Sequence, residues 1–163
     1  MVIKIVGGSA KGRILKGPKK AAIRPATSQV RNSVFNILRD ISDFNVLDLF
    51  AGSGSMGIEA LSWGADHCTF VDINSEAHAL LQHNLSALNF LDQATLIKYD
   101  VIKAIATLAA RHAQYDLIFV DPPYDQALVK ATFDALAKHP LHHSNTQILC
   151  EHSPREKLDL PPQ

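Results

Sequence analysis

From Asn45 to Cys150, short apolar runs alternate with segments of helical period, and this alternation restricts the fold more than any other feature of the chain. The runs Val46–Phe50, Cys68–Val71, Ala94–Lys98, Leu117–Val120 and Gln147–Cys150 have strand length. Between them lie Ile58–Trp63, closed by Gly64, then a segment in which Ala77, Leu81, Leu85 and Leu88 keep helical spacing, then Ile102–Ala110 and Leu128–Ala137. Ser75 is expected to cap the second of these helices. Strands joined through helices pair in parallel, and a parallel sheet needs cover on both faces. The expectation is an α/β domain with a mostly parallel sheet and helices on both sides. Ligands of such sheets sit beyond the carboxyl ends of the strands, so functional residues are sought there.

The segment before Asn45 reads differently. Val2–Val6 and Arg13–Leu15 are short strands about a turn at Gly7 and Gly8, and Lys16–Pro25 is an extended linker. Thr27 or Ser28 caps a helix running to about Arg39, with Val30, Val34, Phe35 and Leu38 on one face. Residues 1–39 hold nine Lys and Arg and no acid, while the rest of the chain has seven Lys and Arg against sixteen Asp and Glu. A split of that kind suits an arm that meets a polyanion, although a solvated basic face has the same composition. The chain divides into a basic hairpin and linker, 1–26, and a main domain, 27–163.

With 163 residues the chain is long enough for one domain with a real core. It has no apolar run of membrane-spanning length and no leader pattern, and Cys68 and Cys150 lie in apolar contexts without metal-ligand spacing. A cytoplasmic protein with reduced thiols is expected. Of the eight histidines, His139, His142 and His143 cluster, and His78 and His83 are spaced wrongly for one helical face. No acid or Cys completes a ligand set, so no metal is expected.

The first strand of the alternation ends in Asp48-Leu-Phe50-Ala51-Gly52-Ser-Gly54. The glycines permit a tight turn and close ligand approach. Gly52 to Gly57 also satisfies G-x-G-x-x-G, which by itself invites a dinucleotide dehydrogenase. Asp48 argues otherwise: a pyrophosphate gains nothing from a carboxylate inside the strand, whereas the ammonium of an amino acid does. Asp72, followed by Ile73, ends the second strand, where a carboxylate accepts ribose hydroxyls. A ligand with an amino acid at one end and a nucleoside at the other fits both, and S-adenosylmethionine is such a ligand. Asp100, before Val101, either accepts from the adenine amine or simply caps a helix.

Asp121-Pro122-Pro123-Tyr124 follows the fourth strand. An exocyclic amine on a nucleobase is a poor nucleophile because its lone pair is delocalised into the ring. Two acceptors, the Asp121 carboxylate and the Pro122 carbonyl, draw its hydrogens out of plane and steady the charge that develops on nitrogen. Consecutive prolines stiffen the turn, and Tyr124 offers a ring on which the base stacks. The plain alternative is a surface Pro-Pro turn.

These motifs resemble the class I methyltransferases with a Rossmann-like sheet, and within them the RsmD family. The stretch Ile3–Arg13, then Arg24-Pro25-Ala26-Thr27-Ser28-Gln29-Val30-Arg31 and Val34–Leu38, is similar to that family's hairpin, linker and first helix. Asp48–Gly54, Gly57–Ala60, Gly64-Ala65, the D-P-P-Y and Glu151 follow its later segments. The resemblance implies methyl transfer from S-adenosylmethionine to the N2 amine of a guanine in 16S ribosomal RNA, free or in an assembling small subunit, by a monomer. It implies a cofactor site at Asp48, Phe50, Ala51, Gly52, Gly54, Asp72, Ile73, Asp100 and Val101. Catalysis would fall to Asp121, Pro122, Pro123 and Tyr124, and RNA contact to Lys11, Arg13, Lys19, Lys20, Arg24 and Arg31. The family continues into a final antiparallel strand pair, which a chain stopping at Leu160-Pro-Pro-Gln163 is expected to lack, and Ala26 and Ser28 depart from its Thr and Asp. Two other readings stand beside this one: an adenine-N6 methyltransferase on DNA or RNA, and a non-catalytic RNA-binding or ribosome-assembly protein.

Overall fold

The computed structural model describes residues 2–18, 26–123 and 127–152. Its centre is a sheet of five parallel strands: β3 (Asn45–Leu49), β4 (His67–Val71), β5 (Ala94–Ile97), β6 (Tyr115–Val120) and β7 (His142–Cys150), in the order β5-β4-β3-β6-β7. A small antiparallel hairpin, β1 (Ile3–Lys4) and β2 (Ile14–Leu15), precedes it. The helices are α1 (Ser28–Leu38), α2 (Ser55–Ser62), α3 (Ser75–Ala87), α4 (Val101–Ala110) and α5 (Leu128–Lys138). The sheet packs into two apolar layers. Val46, Cys68, Phe70, Leu117 and Phe119 meet the hairpin and α1–α3 on one face. Leu47, Leu49, Val71, Ile118 and Val120 meet α4 and α5 on the other. Period-two alternation along strands buried on both sides produces this division.

Two local readings change. Asn74, not Ser75, is the N-cap of α3, and its side chain accepts from the N–H groups of Glu76 and Ala77. In α1 the buried positions are Arg31, Phe35 and Leu38, whereas Val30 is 43% exposed. Phe35 and Leu38 are buried and Val34 packs against the core as expected, but at the first turn of the face Arg31, not Val30, takes the core position. Thr27 caps α1 as expected, accepting from the Val30 N–H at 3.2 Å.

The chain leaves β3 toward β4 and β5, then crosses back to β6 on the other side of β3. Strand order reverses between β3 and β6, and open α/β sheets bind their ligands at such a reversal. Asp48 and Asp121 come from those two strands. Among the described residues no helix is long and apolar enough to cross a membrane.

Candidate active site at the carboxyl edge of the sheet

Four acids read from the sequence stand at the ends of four neighbouring strands: Asp48 in β3, Asp72 after β4, Asp100 after β5 and Asp121 after β6. The turn after β3 is held open by backbone conformation. Phe50 is left-handed at φ 65°, a costly state for a bulky side chain, and Gly54 follows at φ 80°. A Cβ at Gly54 would stand 2.2 Å from Leu81 Cδ1, so packing as well as φ demands glycine. At Gly57 a Cβ would lie 2.3 Å from Phe70 Cε1, and the absence of one lets α2 press against β4.

Asp48 is buried, and one of its oxygens accepts the Gly57 N–H at 2.9 Å. Among the described residues no cationic side chain pairs with it. Burial pushes its pKa up to about 7, the Gly57 hydrogen bond opposes this, and the nearby Asp121 and Asp72 carboxylates add to the rise. Asp121 is likewise pushed up to about 7, by burial and then by Glu151. Glu151 follows β7, and its N–H donates to the Val120 carbonyl, so the two acids leave adjacent strands side by side. Asp72 accepts from the Gly52 N–H and the Asn74 N–H, both at 2.8 Å, which locks the Gly turn to the end of β4. A carboxylate has lone pairs for more than these two partners. Asp100 caps α4 through the Lys103 N–H at 3.0 Å. Ile73 is 66% exposed beside this edge, while Val101 is buried against the sheet. Pro122 is buried and Pro123 exposed; Tyr124 lies outside the described residues.

The family model described as Conserved hypothetical protein 95 matches residues 3–163. Ribosomal RNA small subunit methyltransferase D of Buchnera aphidicola (subsp. Acyrthosiphon pisum) is 33% identical over 98% of this chain and 82% of its own. The Escherichia coli K12 protein of that name is 36% identical over 82% of this chain and 66% of its own. A solved structure, protein TTHA0928 of Thermus thermophilus, superposes with a TM-score of 0.85 at 30% identity, covering 99% of this chain and 92% of the other. The chain belongs to this family. Its five-stranded parallel sheet flanked by helices is that of the class I methyltransferases, and a small antiparallel hairpin precedes it.

Within the family frame, the expected RNA-facing cations divide. Lys11 is exposed; Arg13 is exposed and donates to the Ala87 carbonyl at the end of α3, at 2.8 Å. Lys19, Lys20 and Arg24 lie outside the described residues. Arg31 is a correction. Its side chain is buried, paired with Glu59 at 3.3 Å, and donates to the Ala26 and Lys4 carbonyls. A guanidinium so enclosed cannot reach a phosphate.

Glu59 is the residue that sequence reasoning undervalued. It accepts from the N–H groups of Val6 and Gly7, from Trp63 Nε1 and from Arg31, and so ties the hairpin, α1 and α2 together. The available signal was a carboxylate within Ile58-Glu59-Ala60-Leu61, in a helix that is almost wholly buried. Such an acid needs a buried cation, and Arg31 at a core position of α1 supplies it.

Proposed function

We propose that this protein transfers a methyl group from S-adenosylmethionine to the N2 amine of a guanine in small-subunit ribosomal RNA. The carrying observation is the pair Asp48 and Asp121. Asp48 is buried and Asp121 partly buried, and neither is paired with a cation among the described residues. They stand in and just after the two strands between which strand order reverses, and burial raises the pKa of both to about 7. Such a site gains from a ligand bearing positive charge. The ammonium and sulfonium of S-adenosylmethionine carry it, and Asp72 and the Gly52–Gly54 turn suit its ribose and carboxylate. Asp100, already a helix cap, keeps acceptor capacity toward the adenine, with Phe50, Ala51, Ile73 and Val101 around it. When bound, the cofactor supplies an electrophilic methyl group.

The chain's own residues act on the acceptor. Asp121 takes one amine N–H, and the Pro122 carbonyl takes the other. As the nitrogen took the methyl group it would become tetrahedral, the methyl–sulfur bond of the cofactor breaking to leave a neutral thioether, and Asp121, with a pKa of about 7, would accept the proton that the nitrogen then sheds. Tyr124 stacks on the base. Residues 1–26 engage RNA through Lys11, Arg13, Lys19, Lys20 and Arg24, and residues 27–163 carry cofactor and chemistry. A monomer acting in the cytoplasm is consistent with this scheme. The names of the relatives support the ribosomal substrate, the D-P-P-Y turn supports an exocyclic amine as acceptor, and the choice of guanine N2 rests on the family resemblance.

The decisive experiment is transfer of labelled methyl to RNA from cells lacking the enzyme, with nucleoside analysis. N2-methylguanosine is expected. N6-methyladenosine would move the target to adenine, and RNA binding without methyl transfer or cofactor binding would make the protein a non-catalytic partner.

A further inference from the structure

A concavity of about 550 Å³ lies between the hairpin and α1. Lys4, Lys11 and Gly12 line one side, and Ser28, Gln29 and Asn32 line the other. Its volume is that of a small-molecule site and exceeds what one nucleotide needs. The lining combines two ammonium groups with a hydroxyl and two side-chain amides, and no acid occurs before Asp40. Lys4 and Lys11 form no ion pair among the described residues. On the outer face of the hairpin, Ile14 pairs with Lys4 and is 67% exposed, and Val2 is 71% exposed. Cations, amides and apolar surface together match the phosphate, the base edge and the ring of a nucleotide. A membrane surface would use the apolar and basic parts and leave the amides without purpose.

The walls are fixed before any ligand arrives. Arg31 donates to the Lys4 carbonyl at 2.7 Å from behind, and Glu59 holds the Val6 and Gly7 N–H groups. Beyond the hairpin, Asn84 accepts the Lys16 N–H at 2.8 Å and donates to the Ser53 carbonyl, linking this surface to the cofactor turn. We infer that the concavity between the hairpin and α1 is a nucleotide subsite, which holds an RNA phosphate on Lys4 and Lys11 and a base edge on Gln29 and Asn32. This rests on the proposed RNA substrate, and it adds a place where a nucleotide away from the methylated one is gripped.

The test compares the full-length protein with K4Q/K11Q and Q29A/N32A, using a single-stranded RNA 12-mer and, as a non-nucleotide polyanion, heparin. Loss of the grip on that one phosphate in K4Q/K11Q should reduce the slope of log affinity against log salt by about 0.7. Q29A/N32A should weaken RNA binding roughly tenfold, leave the salt slope unchanged and leave heparin binding unchanged. Calorimetry with S-adenosylmethionine, expected to be unaltered in both variants, confirms that each is folded. If Q29A/N32A binds RNA like wild type, the surface is a general polyanion patch and the subsite is refuted, whatever happens to the lysine variant. If wild type methylates RNA and both variants bind RNA normally, the inference fails while the proposed function stands. If wild type binds no RNA, both fall.

Discussion

Asp48 and Glu59 lie eleven residues apart, both are buried acids, one against α2 and one within it, yet their surroundings differ in kind. Glu59 has N–H donors from the hairpin, the Trp63 indole and a buried guanidinium. Asp48 has the Gly57 N–H, with Asp121 and Asp72 as its charged neighbours. A buried carboxylate with a matched cation is finished by the fold, whereas one left without such a partner is finished by a ligand. The first kind holds the molecule together, and the second marks where it acts. The clearest breach of this contrast would be equal behaviour when each charge is removed.

The largest effect is expected at Glu59. Glu59→Gln strands the Arg31 charge in the interior and should lower stability by about 3–5 kcal/mol, read by urea unfolding. A loss below about 1 kcal/mol would mean that Arg31 finds water by a small rearrangement. At the other pole, Asp121→Ala should cut single-turnover methyl transfer by roughly 10²–10³ while leaving cofactor affinity nearly intact. Asp121→Asn, which keeps an acceptor, and Tyr124→Phe, which keeps the ring, should be milder. Near-normal turnover in Asp121→Ala would reduce the D-P-P-Y to a structural turn.

Asp48→Asn sharpens the contrast, because the amide oxygen still accepts from Gly57 while the charge disappears. Cofactor affinity should fall tenfold to a hundredfold, about 1.5–3 kcal/mol, with no loss of stability in the ligand-free protein at pH 8. A variant that unfolds more readily at pH 8 would show Asp48 to be a structural acid like Glu59.

The titration of the edge follows from the same argument. With Asp48 and Asp121 raised from 3.8 to about 7, the folded protein retains protons that the unfolded chain releases. Their stabilising contribution is full below about pH 4 and is lost as pH rises through about 7. Melting temperature should therefore drop between pH 5 and 8 more in wild type than in Asp48→Asn/Asp121→Asn. A cationic ligand reverses the shift, so cofactor binding near pH 7 should release protons, visible as a dependence of calorimetric heat on buffer ionisation. Identical heats in all buffers would oppose the proposed role of the two acids. The smallest effect belongs to a pair that is neither buried nor at the edge. Asp134→Asn breaks the exposed i,i+4 bridge to Lys130, 2.7 Å long, and should change stability by less than about 0.5 kcal/mol.

The alternation of apolar runs and helical periods was enough to determine the parallel sheet, because burial on both faces imposes a composition that half-exposed strands lack. The acids at the strand ends were legible for a related reason: in Val46-Leu47-Asp48-Leu49 a charge interrupts a run that has no local use for it. The D-P-P-Y was legible as local chemistry. What remained hidden depended on contacts between distant segments. Nothing near Arg31 distinguishes it from Lys11 or Arg13; only its turn of α1, facing Glu59 twenty-eight residues later, takes it from the surface into the core. The choice of Asn74 over Ser75 as a cap depended on backbone angles. The concavity between hairpin and α1 exists only once Glu59 and Arg31 have drawn those elements together. Sequence pattern records which residues must avoid water, and tertiary structure alone decides which charges meet and which are left for a ligand.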